Sequence, residues 1–171
     1  MNGALRFDDY VAEALYSPNR IVPTYSKSQI TPLMNNYNGA TPDPSYIPGW
    51  RLTLEGLASG VSISLDIRTL LARFTQHEQI TRLVCVEGWS AIAWWSGLKF
   101  DDLLQAYPPI SQAKWARVDS SVNLDHGAPL RLLVPVKLGL KNVKAVTKIT
   151  YSVDQPSDYW AERGYSHYDG I

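Results

Sequence analysis

The stretch ITRLVCVEGWSAIAWW, Ile80 to Trp95, holds the only cysteine of the chain, Cys85, and frames the reading of everything else. QITRLVCV (79–86) reads as an apolar strand, and VEGWS after it reads as a turn, so the thiol sits where a strand is handed to a loop. A thiol in that place has two possible uses. Buried, it is a small inert hydrophobe; presented, its thiolate is a nucleophile and a soft metal ligand. Taken alone, the position favours burial. Glu87, Trp89, Ser90, Trp94 and Trp95 around it shift that balance only slightly.

Around this stretch the chain reads as one mixed domain. Its 171 residues suffice for a single core, and 45% apolar with 19% charged residues is ordinary for a globular fold. Eleven prolines, eleven glycines and nineteen aromatics imply a loop-rich α+β or mostly β architecture. WRLTLEGL (50–57) alternates as a strand ending in a glycine turn. SLDIRTLLARF (64–74) has helical spacing, with Ser64 as the candidate N-cap. FDDLLQAY (100–107) reads as a short helix stopped by Pro108-Pro109. KWARVDS, PLRLLVPV and VKAVTKITYSV supply three further expected strands. Residues 17–50, rich in proline and tyrosine, read as ordered loop. DYWAERGYSHYDG closes the chain as an aromatic tail.

Charge and targeting exclude several classes. Sixteen basic and sixteen acidic residues cancel, so no global field draws the chain to nucleic acid or to anionic lipid. One cysteine permits no internal disulfide. No stretch has the length of apolar residues that a membrane span needs, and MNGALRFDDYVAEALY lacks the basic-then-apolar order of an export leader. One cysteine and three histidines offer no zinc spacing.

Three other segments carry candidate chemistry. In DHGAPLRLLVP (125–135) a His126-Gly127 turn beside Arg131 could hold an anion; a plain turn with an outward arginine is the favoured reading of the residues alone. In VKLGLKNVKAV (136–146) Lys137, Lys141 and Lys144 surround Gly139 and Asn142. That is a natural phosphate seat or a solvated lysine face. NNYNG (35–39) places amides beside a tyrosine, which loop structure alone can explain. There is no P-loop or dinucleotide fingerprint.

The order of these segments is more informative than any one of them. ITRLVCVEGWSAI, then HGAPLRLLVPVKLGLKNVK, then YWAERGYSHYDG resembles the molybdopterin-binding domain of the sulfite oxidase superfamily. The resemblance is nearest to single-domain bacterial members related to the periplasmic methionine sulfoxide reductase catalytic subunit. It implies an α+β fold, a mixed-β molybdopterin-binding domain with short helices, spanning 1–171. It implies a molybdenum–molybdopterin cofactor, the mononucleotide pterin form, with Cys85 as the protein's thiolate ligand to the metal. Asn36, Tyr37, Arg82, His126, Arg131, Lys141, Asn142 and Lys144 become the candidate cofactor contacts. Tyr37 and Trp89 join Cys85 as candidates beside the reacting centre.

The implied function is two-electron oxygen-atom transfer on a small oxo substrate, with electrons exchanged with a haem partner, a membrane cytochrome b or a cytochrome c. The implied location is the periplasm, with the cytoplasm as the alternative. Two departures qualify the likeness. Sulfite oxidases follow the ligand with a Gly-Asn-Arg run, whereas here Val86-Glu87-Gly88-Trp89-Ser90 follows, so reduction of S- or N-oxides is favoured over sulfite oxidation. Between KWARVDSS and DHGAPLRL only Val122-Asn123-Leu124 remains, an apparent shortening between about 119 and 125. A sulfite oxidase or dehydrogenase, and a cofactor-free binding module built on the aromatic surface, are the alternative functions.

Overall fold

The computed structural model describes residues 22–32, 43–120 and 128–168. Six strands and two α-helices organise them. Strand β1 (Leu52–Glu55) alternates buried and half-buried residues, and β2 (Ile63–Leu65) pairs with it antiparallel. Helix α1 (Ile67–Arg73) follows, then β3 (His77–Val84), β4 (Ser90–Gly97) and helix α2 (Phe100–Ala106). Strands β5 (Trp115–Ser120) and β6 (Val146–Ser152) complete a four-stranded sheet in the order β2-β1-β6-β5. In that sheet β1 and β6 run parallel while the other pairs are antiparallel. The result is the mixed sheet with short helices that the α+β expectation requires.

The main core lies on one face of this sheet. Leu52, Leu54, Val146, Ile149 and Tyr151 project from β1 and β6 onto Leu70 of α1 and Leu103 of α2. Leu52 and Leu54 are at most 1% exposed, so each buried side chain contributes roughly 2 kcal/mol of apolar burial. The opposite face carries Glu55, Arg117, Asp119, Lys148 and Thr150, which line an open depression of about 410 Å³. Trp50 closes one end of the core, its indole N–H donating to the Val146 carbonyl at 3.0 Å.

Strands β3 and β4 form a separate hairpin, registered without a break from His77↔Gly97 to Val84↔Ser90. Residues 22–32 lace across it. The Tyr25 N–H donates to the Ile80 carbonyl and the Thr31 N–H to the Ile92 carbonyl, both at 3.0 Å. One backbone segment thus pairs with both strands of a two-stranded ribbon that would otherwise be marginal in water.

Two local expectations are corrected. Ser64 is not a helix cap but lies within β2; Asp66 caps α1, its Oδ1 accepting from the Thr69 N–H at 2.7 Å. PLRLLVPV does not form a strand. Pro129 and Pro135 have no N–H to give to a ladder, and only Leu130 and Leu132 make backbone bonds to the neighbouring run, with Val146 and Val143. The Gly turn after β1 is present, and it is indispensable. Gly56 has φ +72°, and a Cβ there would stand 2.1 Å from the Tyr151 carbonyl oxygen. Gly56→Ala is expected to cost at least about 2 kcal/mol, from backbone strain plus separation of β1 and β6. Urea unfolding measures it, and a wild-type midpoint would contradict the tight approach.

Candidate functional site

Cys85 is the first residue past β3, and the turn that follows fixes its direction. Its N–H donates to the Trp89 carbonyl at 2.9 Å, and its own carbonyl accepts from the Gly88 N–H at 3.2 Å. Gly88, at φ +89°, takes the left-handed conformation that a three-residue hairpin loop demands at its last position. Val86, Glu87 and Gly88 are exposed, and the thiol stands half-buried at their base. The thiol points to Glu87, its Sγ 3.7 Å from Oε2, and the same oxygen accepts from the Trp89 indole N–H at 3.0 Å. Trp89 is thereby pinned beside the sulfur.

The period of the strand decides which neighbours share the thiol's face. Thr81 and Leu83 on β3, opposite Ala93 and Ala91 on β4, are all buried, and Trp95 continues their row. Arg82 stands on the other face. It is exposed there, with its guanidinium 5.7 Å from the Tyr25 ring centre. The structure therefore does not bring Arg82 together with the other candidates.

The second wall of the site is the turn at Gly139–Lys141. A Cβ on Gly139 would meet the Val84 carbonyl oxygen at 3.2 Å and the Cys85 Cα at 3.7 Å, so this glycine lies directly against the thiol's backbone. Two segments far apart in sequence are thus brought into contact. Asn142, 2% exposed, holds the turn together. Its Oδ1 accepts from the Val134 N–H at 2.7 Å, and its Nδ2 donates to the carbonyls of Leu138 at 3.0 Å and Lys137 at 3.3 Å. Every polar group of that amide is spent inside the protein, so Asn142 shapes the seat rather than lining it.

Arg131 links this turn to the hairpin. Its Nη2 donates to the Asn142 carbonyl at 3.2 Å, and its guanidinium lies 5.2 Å from the Trp95 ring centre. Burial pulls its pKa below the ordinary arginine value, yet arginine keeps its charge at any pH where proteins fold. A permanent cation is therefore held between the Asn142 carbonyl and the Trp95 ring. Lys144 is half-buried, immediately before Ala145, a buried non-glycine residue at φ +47°.

The other two lysines face the C-terminal segment. Lys141 Nζ, 13% exposed, donates to Asp158 Oδ2 at 2.6 Å, and Lys137 Nζ donates to the Tyr168 carbonyl at 2.7 Å. They are not a bare lysine face. Asp158 also accepts from the N–H groups of Trp160 and Ala161, at 2.9 and 3.2 Å. Beyond it Trp160 packs edge-on between Tyr159 and Tyr165. Asn36, Tyr37, His126 and the shortened connection at 121–125 lie outside the described residues.

Sequence reasoning missed Asp158 and Thr81. Thr81 could have been found, since it keeps the two-residue period of Leu83 and Cys85 along the strand. Asp158 sits in an irregular tail with no pattern to reveal its partner.

Against this geometry the similarities to known proteins can be placed. Residues 115–160, from β5 into the C-terminal segment, match the family profile described as "Oxidoreductase molybdopterin binding domain". The chain is related to the molybdopterin-binding oxidoreductases of the sulfite oxidase superfamily. It is 29% identical over 196 aligned positions to an Azospira oryzae protein provisionally named as the protein-methionine-sulfoxide reductase subunit YedZ1, covering 96% of this chain and 74% of that protein. It is 27% identical to the protein-methionine-sulfoxide reductase catalytic subunits MsrP of Xanthomonas campestris and Burkholderia mallei. Those matches cover 61% and 91% of this chain but only 46% and 63% of the relatives' own lengths. The Azospira alignment has more positions than this chain has residues, so that relative carries residues with no counterpart here.

The residues present suit the cofactor the family name implies. A soft sulfur at a hairpin tip, a glycine admitting close approach, and a partly buried guanidinium bonded to the same turn through the Asn142 carbonyl are a donor set suited to a thiolate-ligated metal with an anionic organic ligand. Among the described residues no group of three or more His, Cys, Asp or Glu forms a metal cluster.

Two predictions arise here. Thr81 Oγ1 and the Trp95 indole nitrogen are buried without a hydrogen-bond partner among the described residues. Thr81→Val removes such a buried hydroxyl at nearly constant volume, and is expected to leave the cofactor-free protein as stable or about 1 kcal/mol more stable. A clear loss in thermal unfolding would reveal a partner for the hydroxyl. The second concerns acid. Burial raises the Asp158 pKa, but the bonds from Lys141, Ala161 and Trp160 outweigh it and hold the carboxyl below its ordinary value. Its contribution is therefore complete above about pH 4 and is lost as pH falls through the lowered value. Amide exchange at Trp160 and Ala161 should accelerate only in that acid range, beyond the intrinsic pH dependence; acceleration already at neutral pH would contradict the pairing.

Proposed function

We propose that this chain is the molybdenum–pterin domain of an oxidoreductase that reduces S-oxides by two-electron oxygen-atom transfer. The observation that carries the reading is the contact between the Cys85 hairpin and the Gly139 turn, which assembles a thiol and a cationic seat from two distant segments. The relatives named as protein-methionine-sulfoxide reductase subunits support the choice of S-oxide as the oxo group. Val86-Glu87-Gly88 after the cysteine, with no arginine for a sulfite oxyanion, supports it too.

When bound, the cofactor supplies the redox change and the oxygen-accepting metal. The chain's own part is orientation. Cys85, freed of its proton, binds the metal through sulfur, and the Gly88 turn holds that sulfur in one direction. Arg131 and Lys144 are the cations proposed to hold the cofactor's terminal phosphate, with Lys141 alongside. Lys141 has three N–H donors and gives one to Asp158, so it can serve an anion as well. Asn142 keeps the turn in shape. Trp89, anchored to Glu87, walls the substrate side of the sulfur. Asn36, Tyr37 and His126 complete the proposal as further cofactor contacts.

The pterin is proposed in its mononucleotide form. Electrons would be exchanged with a haem partner, since two of the relatives are named as catalytic subunits and so work with another subunit. Export to the periplasm belongs to the same proposal; among the described residues no helix is long and apolar enough to cross a membrane. We place the whole of 1–171 in one domain, shortened near 119–125. The 196 and 210 aligned positions in two relatives, against 171 residues here, support the shortening.

Protein purified from a host that makes the cofactor should contain molybdenum and pterin in near-equal amounts and reduce methionine sulfoxide with an artificial electron donor. Cys85→Ser should lower turnover at least about a thousandfold, because a hard or protonated oxygen replaces a soft thiolate. Turnover preserved in that variant, or sulfite oxidation exceeding sulfoxide reduction, would overturn the assignment.

A further inference from the structure

The Gly139 turn touches the thiol's backbone on one side, and its two flanking lysines reach away to the C-terminal segment on the other. Lys141 meets the Asp158 carboxylate at 2.6 Å; Lys137 meets the Tyr168 carbonyl at 2.7 Å, its ammonium 5.2 Å from that ring's centre. The turn is therefore held between two fixed bodies. The hairpin is fixed by its unbroken register, and the C-terminal segment by the Asp158 carboxylate on the Trp160 and Ala161 N–H groups and the edge-on rings of Tyr159, Trp160 and Tyr165. Neither Asp158 nor Tyr168 needs to touch the sulfur to control it.

We infer that Asp158 and Tyr168 are positioning residues, which act through Lys141 and Lys137 to press the Gly139 turn against Cys85 and hold its thiol in place. The inference rests on Cys85 being the metal ligand for its purpose, but not for its geometry. It divides the work between the two ends of the lysines. The turn supplies the cationic seat, and a tail that follows the last strand supplies the force that keeps the seat closed on the hairpin. A carboxylate reaching a lysine that is nearly buried suits this task, because a charge-assisted bond sheltered from water is stronger than its exposed equivalent.

The test uses the full-length, cofactor-free protein and the rate at which iodoacetamide alkylates Cys85 at one fixed pH. Asp158→Asn retains an oxygen for the Trp160 and Ala161 N–H groups while removing the charge that holds Lys141. Alkylation should quicken roughly tenfold, the size expected for losing one charge-assisted hydrogen bond. Lys141→Met should quicken it similarly, and the double variant should be no faster than either alone, since both remove the same contact. Asp158→Glu should recover most of the protection. Thermal unfolding monitored alongside separates this from general loosening, which would quicken alkylation only in proportion to lost global stability. Loaded protein adds a second readout, since the sulfur-to-metal absorption band should shift in Asp158→Asn.

Wild-type alkylation rates in both single variants, or additive effects in the double, would overturn the inference while leaving the proposed cofactor chemistry untouched. Protection lost as expected in the variants, with a wild-type protein that never takes up molybdenum, would uphold the clasp and overturn the proposed function instead.

Discussion

The close approach of Gly139 to the carbonyl of Val84 and the Cα of Cys85 is the constraint on which the site depends. A side chain at 139 would push the turn away by a few tenths of an ångström, and the cationic seat would move with it. Everything around the contact is arranged to keep it. The Gly88 loop sets the hairpin tip, Asn142 closes the turn on itself, and Arg131 spans from the turn to the Trp95 ring. The four-stranded sheet carries none of this chemistry directly. Its role is to deliver the 128–145 run through β6, whose buried Val146 and Ile149 anchor the run's end to the core.

Charge is treated differently on the two sides of the molecule. On the outer face of the sheet, Arg117 meets Asp119 and Lys148 approaches Glu55, exposed pairs that add little to stability. At the Gly139–Asn142 turn the cations are sheltered: Arg131 is pulled down by burial and the Lys141 side chain is 13% exposed. Sheltered cations cost free energy unless partners answer them, and Asp158 answers Lys141. The lysine turn is therefore not a merely solvated face.

Much of the architecture was legible in the sequence because its signals are local. Alternation marked β1, helical spacing marked α1, the Pro108-Pro109 stop marked the end of α2, and the apolar run up to Cys85 marked β3. The failures were also local in cause. Ser64 and Asp66 both suit an N-cap, and strand pairing with β1 took the first, leaving the second to cap α1. PLRLLVPV has strand composition, but its two prolines deny it a ladder. At the site, Cys85, Arg131 and the lysine turn could be named from residue type and order. What they do could not, since Asn142's inward amide, Arg82's outward face and the Asp158 clasp depend on contacts across the fold.

The claim that the thiol of Cys85 is the protein's bond to the metal is open to one direct measurement, X-ray absorption at the molybdenum edge on loaded protein. The account predicts one more sulfur neighbour at the metal in the wild type than in Cys85→Ser, with the pterin's own sulfurs common to both. Identical sulfur coordination in the two proteins, both fully loaded, would contradict it and return Cys85 to the status of a half-buried, unreactive residue.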